Sequence, residues 1–89
     1  VTANSDIAFK SDIETLDGNK VFDMRGVSFM KDGRRGSGVV AQEIEKIAPE
    51  LVHVGPDGKK SVAYGNLVGY LIESVKSLRQ EIAELREKK

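Results

Sequence analysis

The most regular hydrophobic pattern lies near the C-terminal end of the chain. Apolar side chains there recur at intervals of three and four residues, at Val68, Leu71, Val75, Leu78, Ile82 and Leu85. This is a heptad repeat with β-branched residues at a and leucine at d, which predicts a coiled-coil seam on a long helix. A helix of about 23 residues spans roughly 35 Å, more than the small remainder of the chain can cover. We therefore expect another copy of the chain to cover the seam; the alternative is an amphipathic helix folded back on its own domain.

The residues before this helix predict a small α+β unit. Strand-like stretches alternate with turn signals, and we predict strands at residues 27–30, 37–40, 51–54 and 60–64. A polar loop at 31–36 would join the first pair, and the turn at 55–58 the second. Residues 41–47 predict a short helix that ends before Pro49. Asn66 is a candidate N-cap for the long helix, so we divide the chain into an α+β domain at 5–65 and a helix at 66–89.

Composition limits how so short a chain can be stabilised. The 89 residues contain no cysteine and a single histidine, His53, so neither disulfides nor a thiolate or histidine metal site is expected. Oligomerisation is the remaining means of stabilising a core this small. The 14 basic and 14 acidic side chains cancel, which argues against nucleic acid as a partner. No apolar run approaches the ~20 residues of a membrane span. The missing initiator methionine leads us to expect a piece of a longer protein.

A hydroxyl and an amine lie five residues apart near the N-terminus, at Ser5 and Lys10. A serine becomes a nucleophile when a base removes its proton, and a lysine amine can be that base once burial or a positive neighbour lowers its pKa from ~10.4. In an α-helix the two side chains would point roughly 140° apart. The pair therefore requires a non-helical segment, or a lysine from a neighbouring chain. A solvated turn capped by Ser5 or Asp6 is the alternative interpretation.

A mid-chain segment and the N-terminal pair together form a distinctive sequence pattern. The segment reads Gly38-Val39-Val40-Ala41-Gln42-Glu43-Ile44, followed by Ala48-Pro49-Glu50-Leu51-Val52 and later by Val62-Ala63-Tyr64. The N-terminal pattern is Ser5-Asp6, then Lys10 and Ile13. With the terminal helix, these matches cover nearly all of residues 5–85. They resemble the C-terminal intramolecular chaperone domain of phage tailspikes, tail fibres and neck appendages, the self-cleaving S74 peptidase family first described in endosialidases.

The resemblance implies a fold, an activity and site residues. It implies an intertwined parallel homotrimer, although the heptads alone lean toward two strands. It implies a domain that trimerises, helps the upstream fibre or spike to fold, and then cuts the chain between Asn4 and Ser5. Ser5 would be the nucleophile and Lys10 its general base, with Asp6, Gln42 and Glu43 as supporting residues. Residues 1–4 would be the end of the upstream fibre. Ala8 departs from the family pattern, in which many members have arginine, and this departure would slow cleavage.

The resemblance also implies partners and a location. The partners would be two further copies of the chain and the upstream segment of the same polypeptide, without nucleic acid, membrane or cofactor. The work would take place in the cytoplasm of the phage-infected host, and the released piece would be absent from the mature virion. A regulatory nucleotide would have only the basic loop of Lys31, Arg34 and Arg35 as a contact, and a solvated hairpin is the favoured interpretation there.

Other interpretations of the same residues remain open. The domain could be a trimerisation or attachment tip that stays on the fibre and cuts nothing. A soluble enzyme that cleaves other proteins is less favoured, because the candidate nucleophile lies beside its own N-terminus. Gln42 and Glu43 could simply be polar residues in the first turn of a helix, where an acidic side chain is favourable.

Overall fold

The computed structural model of the chain describes residues 2–88. Val1 and Lys89, which belong to the predicted segments 1–4 and 66–89, lie outside the described residues. The regular elements are β1 (Val27–Lys31), β2 (Arg34–Gly38), α1 (Ala41–Glu45), β3 (Val52–Val54), β4 (Lys60–Val62) and α2 (Leu67–Glu87). Short 3₁₀ helices lie at Ile7–Phe9, Gly18–Asp23, Pro49–Leu51 and Tyr64–Asn66. The predicted α+β class is confirmed.

Two antiparallel hairpins supply the strands, β1 with β2 and β3 with β4. The predicted loop at 31–36 is wrong, because β1 and β2 pair as far as Lys31 opposite Arg34. Only Asp32 and Gly33 form the turn, with φ values of 52° and 74°. An aspartate–glycine pair with both residues at positive φ is the favoured two-residue turn between twisted strands. The return strand therefore begins at Arg34, three residues before the predicted start.

A small core forms where α1 meets the second hairpin and α2. Ile44, Ala48, Leu51 and Tyr70 are buried, with Ile44 fully enclosed. α1 ends at Glu45, earlier than predicted, and Pro49 starts a 3₁₀ turn rather than only ending the helix. A core this small is marginal for a chain of 89 residues.

The predicted terminal helix is present as α2, which contains 21 residues. Asn66 was predicted to cap it, and this is wrong: Asn66 has helical dihedral angles and makes no side-chain capping bond. The 3₁₀ turn at Tyr64–Asn66 leads the backbone directly into α2 instead. No helix among residues 2–88 has the length and apolar character needed to cross a membrane.

α2 packs against its own domain with one face and exposes another. The packed face carries Leu67, Tyr70, Ser74 and Ser77, and the 3₁₀ helix at Gly18–Asp23 lies along it. Gly18 is buried there, in direct contact with the backbone of Glu73 and Ser74. All six heptad positions lie on the neighbouring face and are exposed. α2 does pack on its own domain, but it does not use the heptad face to do so.

Candidate functional site

The N-terminal turn brings Ser5 and Lys10 into contact. Lys10 Nζ lies 2.8 Å from Ser5 Oγ and 2.9 Å from the carbonyl oxygen of Ser5. The intervening residues Ile7–Phe9 form a single 3₁₀ turn, and both Asp6 and Lys10 are extended. The chain therefore folds back after one turn instead of continuing as an α-helix. The non-helical segment that a Ser5–Lys10 pair within one chain requires is therefore present.

Asp6 holds this turn in place. Its Oδ1 accepts a hydrogen bond of 2.9 Å from the backbone N–H of Ala8, and its carbonyl oxygen accepts one from Phe9. The backbone N–H of Lys10 then donates to the carbonyl of Ile7. This is N-capping by an aspartate side chain, which fixes the first turn of a helical segment. The structure thus gives Asp6 a conformational role beside Ser5 and Lys10.

Solvent surrounds the contact between Ser5 and Lys10. Both residues are exposed, and the apolar side chains of the same arm, Ile7, Phe9 and Ile13, are 68–78% exposed. The arm is anchored further along, where Leu16 lies against Gly69 of α2. A lysine that removes a proton from serine needs a drier environment than this. In the single chain, the nucleophile and the base lie at a suitable distance, but they are not buried.

Glu43 is engaged elsewhere. Its carboxylate accepts two hydrogen bonds from the Arg25 guanidinium, at 2.6 Å from Nη2 and 3.0 Å from Nε. The hydrogen bonds from Arg25 hold the pKa of Glu43 below its usual value. Gln42 is exposed and lines a separate shallow cleft with Lys31 and Lys60. The structure therefore groups Asp6 with the N-terminal pair, and places Gln42 and Glu43 in other surroundings.

Tyr64 connects two of the segments that make up the distinctive sequence pattern. Its hydroxyl accepts a hydrogen bond of 3.2 Å from the backbone N–H of Val39. The same hydroxyl occupies the space that a side chain at position 38 would need, 2.5 Å from where a Cβ would lie. Gly38 has a φ of 156°, which favours glycine as well. The glycine at the start of the mid-chain segment and the tyrosine after β4 are therefore parts of one packing arrangement.

A family model matches residues 5–53 of the chain, which is more than half of its length. It is the model of the S74 peptidases, described as the chaperone of endosialidase. The chain belongs to this family. In this S74 domain the match begins at Ser5 itself and runs through the N-terminal turn, the first hairpin and α1 to His53 in β3. The family supports a chaperone role and a peptidase class. No curated protein matches the chain.

Two parts of the predicted resemblance lie beyond the matched residues of this S74 domain. Tyr64 and the whole of α2 follow residue 53. Their assignment rests on the residues themselves: on the contact of Tyr64 with Gly38 and Val39, and on the heptad pattern of α2.

Sequence reasoning missed two long-range contacts, one of which engages the predicted site residue Glu43. Arg25 pairs with Glu43 across 18 residues of sequence, and Tyr70 donates a hydrogen bond to Glu50 across 20. The bond from Tyr70 lowers the pKa of Glu50, and the same bond with burial raises the pKa of Tyr70 to about 12. Neither pair follows a local spacing rule, so no pattern in the sequence signals it. Tyr70 is the exception in one respect: a large aromatic residue outside the heptad seam indicates that this part of α2 packs against the chain's own domain.

Proposed function

We propose that this domain is an intramolecular chaperone that assembles through α2 as a parallel homotrimer, assists the folding of an upstream phage fibre or spike, and then releases itself by cutting between Asn4 and Ser5. The observation that supports cleavage is the 2.8 Å contact between Ser5 Oγ and Lys10 Nζ at the first residue of the family match. The observation that supports assembly is the exposed seam of α2.

The chemistry needs a nucleophile, a base and water. Ser5 Oγ attacks the carbonyl carbon of Asn4, and the hydroxyl proton passes to Lys10 Nζ. The bond between the Asn4 carbon and the Ser5 nitrogen breaks, and the nitrogen takes up the proton. An ester now joins Asn4 to Ser5 Oγ. Water hydrolyses it, which leaves a carboxylate on Asn4 and restores the hydroxyl. In a second route, Ser5 of one subunit attacks the same bond in another subunit.

Assembly would provide what the single chain lacks. The amine of Lys10 must be neutral to accept a proton, and burial disfavours the charged form of a lysine. The exposed apolar side chains of the arm, such as Ile7 and Phe9, favour association with a neighbouring surface that would enclose the pair. Cleavage would then follow assembly, so the chaperone would stay attached until its work is done.

A terminal trimer solves a kinetic problem of long stranded fibres. Their strand pairings are non-local and therefore slow to form. Three chain ends held together by α2 raise the effective concentration of the upstream segments, which lowers the cost of their first pairing. When the trimeric domain is cut off after folding, the fibre is kinetically trapped, because reassembly without this domain is unfavourable.

The test of cleavage is the denatured intact mass of a longer protein that includes the upstream segment. We expect the parent to be cut before Ser5, while Ser5→Ala stays intact. Ser11→Ala is the matched control, because Ser11 is an exposed serine of the same arm, and it should be cut like the parent. Lys10→Arg keeps the charge but cannot act as a base near neutral pH, so it should also stay intact.

An uncut parent that is still a trimer would refute self-cleavage. The domain would then be the non-cleaving tip that remains on its fibre. Two features favour that second function: the Ser5–Lys10 pair is exposed to solvent, and Ala8 beside it departs from the arginine that the resemblance leads us to expect. An Ala8→Arg variant distinguishes the two cases, because it should restore cleavage only if the rest of the machinery is present.

A further inference from the structure

One large apolar side chain of α2 lies neither on the heptad seam nor on the face that packs against the domain. Ile72 is 53% exposed, lies outside the heptad seam, and is not on the face that packs against the domain. In heptad terms it occupies an e position, one residue after Leu71 at d. The other e positions are Arg79 and Arg86. An isolated exposed isoleucine where the rest of the helix carries arginine calls for a specific contact.

An apolar cleft lies beside the start of the same helix. It has a volume of about 310 Å³ and is lined chiefly by Val21, Met24, Val39, Tyr64, Leu67 and Leu71. Leu71 is also a d residue of the seam, so the cleft borders the seam directly. A cavity of ~150 Å³ is enough to take a benzene ring, so this cleft has room for an aliphatic side chain.

The heptad register relates Ile72 to this cleft. In a parallel coiled coil, a g residue faces the e residue five positions later on the neighbouring helix. Leu67, which lines the cleft, is at g, and Ile72 is five positions later at e. We propose that Ile72 of each copy docks into the cleft of the neighbouring copy, against Leu67. The inference rests on the proposed parallel assembly and identifies a contact within it.

The pattern along α2 restricts the contact to its first heptad. The next two g–e pairs are Ser74 with Arg79 and Glu81 with Arg86, which are polar. Of these three pairs, Leu67–Ile72 is the apolar one, and the apolar cleft lies beside it. In an antiparallel pair, e would face e and g would face g, so Ile72 would not reach Leu67. The contact is therefore specific to the proposed parallel arrangement, in which it connects each domain to the helix of its neighbour.

The test compares two exposed aliphatic residues by sedimentation equilibrium of the 89-residue chain. Ile72→Ser should weaken assembly by about tenfold or more, as expected when a buried isoleucine is lost from each contact. Val54→Ser is the matched control, because Val54 is similarly exposed, at 51%, but lies on β3 rather than on α2; it should assemble like the parent. Circular dichroism at high concentration verifies that each variant folds.

A second measurement tests the partner of Ile72. Val39→Ala removes one wall of the cleft, and the combination of Val39→Ala with Ile72→Ser should lose less affinity than the two single losses added together. Additive losses would overturn the docking of Ile72 against this cleft. So would an Ile72→Ser chain that assembles as tightly as Val54→Ser, and that result would leave the proposed trimer intact. A parent chain that stays monomeric at every concentration would overturn both proposals.

Discussion

Gly18 is the position where the structure permits the sharpest stability prediction. It is the buried first residue of the 3₁₀ helix Gly18–Asp23, which packs on α2, and an added Cβ would lie 2.3 Å from the backbone of both Glu73 and Ser74. Backbone atoms cannot swing aside as the end of a flexible side chain does. An alanine at this position would therefore force the two elements apart by roughly 1 Å, which is overpacking of the kind that costs about 1–3 kcal/mol.

The magnitude is large for this chain. A loss of about 2 kcal/mol is a substantial part of the ~5–15 kcal/mol that stabilises a typical domain, and residues 2–88 contribute only four buried hydrophobic residues to the core. For a domain of this size, about 2 kcal/mol corresponds to a fall of roughly 8–16 °C in the unfolding midpoint. We expect Gly18→Ala to show this fall in thermal unfolding followed by circular dichroism, at one fixed concentration because association also shifts the midpoint.

Gly65→Ala is the control for Gly18→Ala. A Cβ at Gly65 would meet nothing within 4 Å, so the exchange should leave the midpoint unchanged or slightly raised. Hydrogen exchange adds a local measure, because amides of α2 near Ser74 should lose protection in Gly18→Ala only. Equal midpoints for the two alanine variants would refute the argument that Gly18 is required by the close approach of α2.

Two further changes test the contacts around the core and the N-terminal turn. Tyr70→Phe removes the hydrogen bond to Glu50 and should lower the free energy of unfolding by about 1 kcal/mol. Because the pKa of Glu50 is lowered from 4.5 in the folded chain, the parent should lose stability as the pH falls below about 4.5. Urea unfolding at several pH values should show a weaker loss in Tyr70→Phe. Asp6→Ala removes the cap on Ala8, worth about 1 kcal/mol, and should slow self-cleavage about fivefold. Asp6→Asn keeps a capping oxygen and should cleave at nearly the parental rate; equal slowing in both variants would mean that the carboxylate acts by its charge.

Periodic features of the sequence were predictable because they repeat. The heptad spacing from Val68 to Leu85 predicts a long helix with one exposed apolar face, and α2 has both properties. The hairpins follow from short apolar runs around glycine-containing turns. Where the prediction failed, a local rule was misapplied: Asp32-Gly33 is itself a two-residue hairpin turn, so β2 could have been placed at Arg34 from the sequence.

Single long-range contacts were not predictable, because no repeating pattern in the sequence indicates them. The fit of Gly18 against α2 depends on how two elements approach in space. The pair of Arg25 with Glu43 likewise depends on where the chain between Asp23 and β1 passes. At the N-terminus, the spacing of Ser5 and Lys10 excluded an α-helix but did not indicate a 3₁₀ turn. A turn capped by Asp6 was the alternative interpretation of the same residues, and the structure contains both this cap and the contact between Ser5 and Lys10.

The two faces of α2 are formed by different residues, and this separates two properties of the molecule. Leu67, Tyr70, Ser74 and Ser77 face the chain's own domain, while the a and d positions after Leu71, which borders the apolar cleft, are exposed. Residues at a and d set how many helices join in a coiled coil, so in the proposed assembly that number could be changed at Val75, Leu78 and Ile82 without disturbing the contacts that fold each chain. If the proposed function is correct, the same fold with new seam residues could assemble at the end of a fibre with a different number of chains.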